Sequence, residues 1–247
     1  MNLNEQFRKD WKLAGYTLGH GSDAVLAPPK KGKKRLYYLT SQEHALSNIV
    51  FSRVKVARFN ELNDPFELLG HSSGLGREKT TLKINKAELN EKNEVICFSE
   101  DWVDPVLWSH YASKHQEIAL GFDINDDVVR QVDYKEQRLK QKIKSSSNTL
   151  STEIRDQLIV RKFKSWSYER KWRILVDLKL AHKEGNLFFN PINSRCRLVE
   201  VILGAMCNLD LKKVRTLVDR QHNDVMTCKA RLAYRSYRII PNGSTVL

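Results

Sequence analysis

The sequence predicts an α+β protein with a mixed or antiparallel sheet core, peripheral helices and a helical insertion. One observation is a set of short β-favouring runs, Leu36 to Thr40, Val95 to Ser99, Ile118 to Phe122, Trp172 to Val176 and Leu198 to Gly204. A second is the set of capped, amphipathic helices between them. The third is that no window approaches the about 18–20 apolar residues of a membrane span.

The chain is organised around Val95 to Ile124, which reads as strand, turn, short helix, strand. Asp104 caps the helix, and Pro105 at its first position forfeits no hydrogen bond. Leu107 and Tyr111 share one face, as do Trp108 and Ala112, with Ser109 and His110 beside them. Ser99, Trp108, His110 and Tyr111 therefore gather near one strand end.

Residues 1–35 read as an extension and basic linker, with a helical pattern from Glu5 to Leu13, three glycines at 15, 19 and 21, and five Lys or Arg in Pro28 to Arg35. A single domain is expected over 36–247. It opens with the Leu36 strand, a helix capped by Thr40 or Ser41 with Ala45, Leu46, Ile49 and Val50 inward, and a half-buried strand at Phe51 to Ala57. Asn63-Asp64-Pro65 is a strong turn signal, and the carboxylates and aromatics around it leave room for a polar site. Residues 68–94 read as a surface excursion ending in a short helix near Lys86 to Leu89.

A helical insertion is expected at about 126–163: a helix starting over Asp126 to Val132, a charged run from Lys135 to Lys144, a Ser-rich break, and an amphipathic helix from Ser151 to about Phe163. A strand then begins near Glu169 or Arg170, with Trp172, Ile174 and Val176 inward. Leu209 to Arg220 reads as a helix, and Val225 to Ala230 and Arg235 to Ile240 as closing strands.

Forty-two Lys and Arg against 29 Asp and Glu give a net charge of +13, which favours acidic partners such as DNA or RNA. Four widely spaced cysteines, Cys97, Cys196, Cys207 and Cys228, form no zinc pattern and read as buried free thiols, Cys97 most plainly. No metal site is expected. The polar N-terminus lacks a signal-peptide layout, so a cytoplasmic location without a membrane partner is expected. No phosphate loop or nucleophile elbow is present, which excludes P-loop ATPases, dinucleotide dehydrogenases and ordinary hydrolases.

Glu169 stands among Trp166, Tyr168 and Trp172 with Arg170, Lys171 and Arg173 alongside, a setting in which a carboxylate is tuned. Two other readings use the same region. Glu169-Arg170-Lys171 is the E-x-K half of a Mg-dependent nuclease site, with Asp123 or Asp64 as the other acid. Lys162 to Tyr168 and Arg231 to Arg238 interleave cations with aromatics, as a nucleic-acid-binding module does, with Lys164, Trp166, Arg170 and Arg173 as contacts.

Asn63-Asp64-Pro65-Phe66-Glu67, Cys97-Phe98-Ser99-Glu100, Leu107 to Ala112, Gly121-Phe122-Asp123, Trp166 to Glu169 with Trp172-Arg173, and Glu200 to Gly204 resemble, in order, the blocks of the bacterial domain of unknown function 2971. The opening at Leu36 to Thr40 also resembles ADP-ribosyltransferase folds. That second resemblance implies an NAD-using transferase in which Glu169 stabilises developing positive charge. Tyr111 would stack on nicotinamide, and Tyr38, Thr40 and Ser99 would line the pocket, with Asn63, Asp64, Trp108 and His110 as further cofactor contacts. Tyr38 departs from the His or Arg usual there. A toxin or phage-defence role is what such an activity would suit.

Overall fold

The computed structural model describes residues 16–18, 24–72, 76–141, 149–178 and 181–242. Helices accompany a large mixed sheet, which makes the fold α+β. Where the sequence predicts one domain, the chain divides into two compact units, Met1–Arg53, Phe98–Asp127 and Pro191–Leu247 in the first and Val54–Cys97 and Val128–Asn190 in the second. No Gly- or Pro-rich linker marks the boundaries. They fall inside strands at Arg53/Val54, Cys97/Phe98 and Asn190/Pro191 and inside a 3-10 turn at Asp127/Val128, so composition carries no sign of them.

In the first unit the Ile118–Asn125 strand is the spine. Its apolar run is buried on both faces, and its two edges pair antiparallel with Lys33–Thr40 and Cys196–Leu203. A register shift between Leu198 and Glu200 bulges the second pairing. Cys196–Leu203 then pairs in parallel with Met226–Leu232 through the Leu211–Gln221 helix, and Ile239–Pro241 closes the edge antiparallel. The basic stretch expected to be linker thus contributes Lys33, Lys34 and Arg35 to a strand, where Arg35 donates two hydrogen bonds to Asp123, at 2.8 and 3.1 Å. Tyr16–Leu18 pairs with Ala24–Leu26. The helical pattern at 5–13 and the glycines at 15, 19 and 21 lie outside the described residues.

The helix signals hold. Ser41 caps Gln42–Val50 by accepting from the His44 N–H, and Asp104 caps Pro105–Tyr111 by accepting from the Val106 N–H. Trp108, Trp102, Tyr37, Ile202 and Ile239 share one buried cluster. The closing strand is shorter than predicted. Ile239–Pro241 alone pairs, and Arg235 to Arg238 stand outside it because Ala233 and Arg238 close a hairpin first.

The second unit differs most from expectation. Residues 68–94 contain a full helix, Arg77–Lys92, whose buried side includes two polar residues. Thr81 and Asn85 lie inward with Leu82 and Leu89, and Asn85 accepts from the Leu150 N–H. The insertion at 126–163 is largely not helical. Asp126–Val128 is one 3-10 turn, Arg130–Gln131 and Asp133–Lys135 are strands, and Val129 and Val132 are buried between polar neighbours as extended backbone prefers. Among the described residues of this stretch, Thr152–Val160, capped by Ser151, is the one α-helix; Arg161–Phe163 continues as a strand in parallel with Asp133–Lys135. Residues 142–148 lie outside the described set.

Close approach fixes two glycines in the first unit. A Cβ on Gly204 would stand 2.2 Å from the His115 carbonyl oxygen, in a turn where Ser113, Lys114 and His115 all take positive φ. On Gly121 it would meet the Glu200 Cβ at 2.9 Å and a Tyr37 ring carbon at 3.0 Å. Gly204→Ala should therefore cost about 3 kcal/mol or more, because the His115 carbonyl is deeply overlapped, and Gly121→Ala about 2 kcal/mol, because its overlaps with the Glu200 Cβ and the Tyr37 ring are shallower. Urea denaturation of the two variants checks the order, and equal loss would contradict it.

Candidate functional site

The chemistry-bearing residues of the second unit converge on the Lys171–Asp177 strand and the 3-10 turn before it, Lys164–Glu169. Glu169 was expected at the strand start. It is instead the last residue of the turn, and Arg170 in the left-handed conformation (φ +43°) separates it from the strand. That break turns the Glu169 carboxylate inward, and it is 0% exposed.

Two ammonium groups meet it there. Lys162 Nζ donates to Oε2 at 2.8 Å, and Lys171 Nζ lies 3.1 Å from Oε1. On the same strand face Arg173, also 0% exposed, donates to Glu67 Oε1 at 2.5 Å and to the Ile159 carbonyl. Lys162 lies 3.9 Å from Glu67 as well and sits over the Trp166 ring, 4.3 Å from its centroid. Five buried charged groups therefore form one network with three cations against two carboxylates.

Burial is the largest single influence on Lys171 and on Arg173. It pulls Lys171 below its ordinary pKa despite the opposing effects of Cys97 and Glu169. It acts to lower Arg173 too, but Cys97 and Glu67 outweigh it and hold the guanidinium above its usual value. Tyr134 Oη accepts from the Lys171 N–H at 2.9 Å, and burial raises that phenol well above its ordinary range. Cys97, expected as a buried thiol, is only half-buried; Cys196, Cys207 and Cys228 are buried, and all four are free.

Lys162 also forms part of the lining of a cleft of about 290 Å³. Phe66 and Phe163, 54% and 50% exposed, give it aromatic surface, and Lys135, Arg138 and Arg161 add positive charge. Arg138 lies over the Phe66 ring at 5.2 Å. Arg161 donates to the Gln137 carbonyl, its Nε has no hydrogen-bond partner, and Gly70 makes room for its stem. The two acids of the lining are engaged locally. Asp64 is buried and accepts from the Phe66 N–H at 2.9 Å, while Glu136 is paired with Lys164 at 2.6 Å.

Several predicted site residues take other roles. Arg173 is wholly buried and offers no surface to a nucleic acid; Trp166 is half-buried with Lys162 against its ring. Lys164, Arg170 and Asn63 are exposed, and Asp64 forms the turn that its sequence signals. Ser99, Tyr38, Thr40, Trp108, His110 and Tyr111 belong to the first unit. There Ser99 and Thr40 are buried, Ser99 opposite Tyr37, and the half-buried Tyr38 packs near Phe98 at 6.1 Å. His110 is exposed beside the half-buried Tyr111. Trp108 has no face for a cofactor: it is fully buried, donates to the Trp102 carbonyl at 2.6 Å and stacks on His115.

The E-x-K reading meets the same break at Arg170, since Glu169 and Lys171 pair with each other and do not project together from one strand. Asp64 and Asp123 are each bonded elsewhere. Among the described residues no group of three or more His, Cys, Asp or Glu could hold a metal ion, and no helix is long and apolar enough to cross a membrane. Arg138 and Arg161 are residues that sequence reasoning missed, while Phe66 and Glu67 belong to the Asn-Asp-Pro turn around which it left room for a polar site. Comparison with protein families, curated proteins and solved structures finds no match to this chain.

Glu169→Gln takes the carboxylate from beside the buried Lys171 and leaves Lys162 only the more distant Glu67 at 3.9 Å, and should destabilise the protein by about 3–5 kcal/mol, measured by urea denaturation at pH 7. A loss under 1 kcal/mol would contradict the network. Tyr134 adds a pH dependence. Its folded pKa is raised, so its contribution is fully present below the unfolded phenol's value near 10 and is lost as pH rises above it. Tyr134→Phe should flatten that alkaline loss in a stability-versus-pH series.

Proposed function

We propose that the second unit binds single-stranded nucleic acid in the cleft, without carrying out chemistry on it. The observation that carries this reading is the lining itself, in which two half-exposed Phe rings stand among Lys135, Arg138 and Arg161 while both lining acids are already engaged. A base stacks on a ring, and the phosphates on either side meet guanidinium and ammonium groups. The volume of about 290 Å³ suits one unstacked base, near the lower limit of small-ligand pockets. An excess of cations over the whole chain, 42 against 29, favours the same partner.

Glu169 on this reading is the counter-ion that keeps Lys162 in the cleft lining. An ADP-ribosyl transfer would require the same carboxylate to face a ribose, whereas each of its oxygens is next to an ammonium group and the side chain is fully buried. Nicotinamide release from NAD that disappears in a folded Glu169→Gln variant would replace binding by that transferase.

The direct test is fluorescence anisotropy with a labelled oligothymidine at low salt. Phe66→Ala should weaken binding about tenfold, and Arg138→Ala several-fold with a shallower salt dependence. Unchanged affinity in both variants would remove the cleft as the site.

A further inference from the structure

The first unit carries a surface that the cleft does not account for. Between the paired strands Met226–Leu232 and Ile239–Pro241 the chain forms a hairpin tip, closed by the Ala233 N–H donating to the Arg238 carbonyl at 3.0 Å. Its base is fixed: Leu232 pairs with Ile239, and Ile239 and Ile240 are buried. Its tip is all polar and aromatic. Arg231 to Arg238 contains three arginines, two tyrosines and no acid.

Both rings stand in solvent. Tyr234 is 94% exposed and Tyr237 98%, so neither contributes packing to the fold. The Arg231 guanidinium lies over the Tyr234 ring at 5.4 Å, which holds that ring while leaving it accessible. Large exposed aromatics that stabilise nothing internally mark an interaction surface.

We infer that this hairpin tip is a stacking platform for single-stranded nucleic acid, separate from the cleft and not dependent on it. The partner follows from the chemistry. Arg231 and Arg235, on a tip whose own sequence carries no acid, favour a polyanion, and two exposed rings favour bases that are not already stacked in a duplex. Arg231 and Arg235 meet phosphates, while Tyr234 and Tyr237 each take the face of a base.

The experiment uses the full chain and an oligonucleotide carrying 5-bromouracil, photocrosslinked and mapped by peptide mass spectrometry, beside anisotropy titrations. The expected result is a crosslink within residues 231–238. Tyr234→Ala/Tyr237→Ala should lose that crosslink with an unchanged melting temperature because the rings are exposed, and, added to Phe66→Ala so that the cleft does not carry the titration, should weaken binding at least about tenfold further. No crosslink in this segment, or the affinity of Phe66→Ala retained when both tyrosines are also replaced, overturns the inference. So does tyrosine-dependent binding to phosphatidylglycerol vesicles with no oligonucleotide binding, which would make the tip a membrane contact. Phe66→Ala separates the two sites: it should leave the hairpin crosslink in place, and a cleft that proves inert would not touch this result.

Discussion

The second unit depends on one arrangement of charge, a fully buried Glu169 carboxylate between the ammonium groups of Lys162 and Lys171. Taking these charges out of water is costly, and only mutual pairing offsets it. The consequence is geometric. Glu67 belongs to the segment following the Asn-Asp-Pro turn, Lys162 to a short parallel strand, Glu169 to a 3-10 turn and Arg173 to a central strand, and the Arg173 guanidinium reaches the Ile159 carbonyl near a helix end. The segment carrying Glu67 and the continuous stretch that runs from the Thr152–Val160 helix to the Lys171–Asp177 strand are thereby held to one another by ion pairs and hydrogen bonds. An apolar core of the same volume would permit more slippage between them, because dispersion contacts are not directional and charged hydrogen bonds are.

The cleft inherits its walls from that network. Lys162 is common to both, and Arg161 and Phe163 are its neighbours on the same strand. Phe66 immediately precedes Glu67, so the carboxylate that holds Arg173 also fixes the backbone from which the exposed ring projects. A binding surface built this way is preorganised, which lowers the ordering cost of binding. The first unit solves its packing differently. Its sheet is apolar through the spine strand, with Arg35 and Asp123 as a two-bond pair on neighbouring strands and the hairpin tip left to solvent.

Local signals in the sequence were legible where the physics is local. Asp104-Pro105, Ser41 and Ser151 mark helix starts because capping is settled within three residues. Ile118 to Phe122 reads as a buried strand because its run is without polar side chains, and Leu198 to Leu203 because only Glu200 interrupts its apolar residues. The Arg77–Lys92 helix was not legible in full, since Thr81 and Asn85 occupy buried positions where periodicity requires apolar residues. The sequence places Glu169 among aromatics and cations, and its partners Lys162 and Lys171 lie within seven residues of it; what is not legible is the attachment of this cluster to Glu67, which bonds Arg173 across 106 positions. The left-handed Arg170 that turns it inward has no glycine or asparagine to announce it. Cys97 read as core because its neighbours are apolar, although its side chain belongs with Lys171 and Arg173.

The most direct measurement of nucleic-acid binding is the dissociation constant for an oligothymidine titrated across salt concentration. The account predicts that log affinity falls linearly with log salt, with a slope steeper than about −1.4, corresponding to two or more phosphates neutralised on a single strand at about −0.7 each. Affinity that is independent of salt, or no binding at low salt, would contradict it.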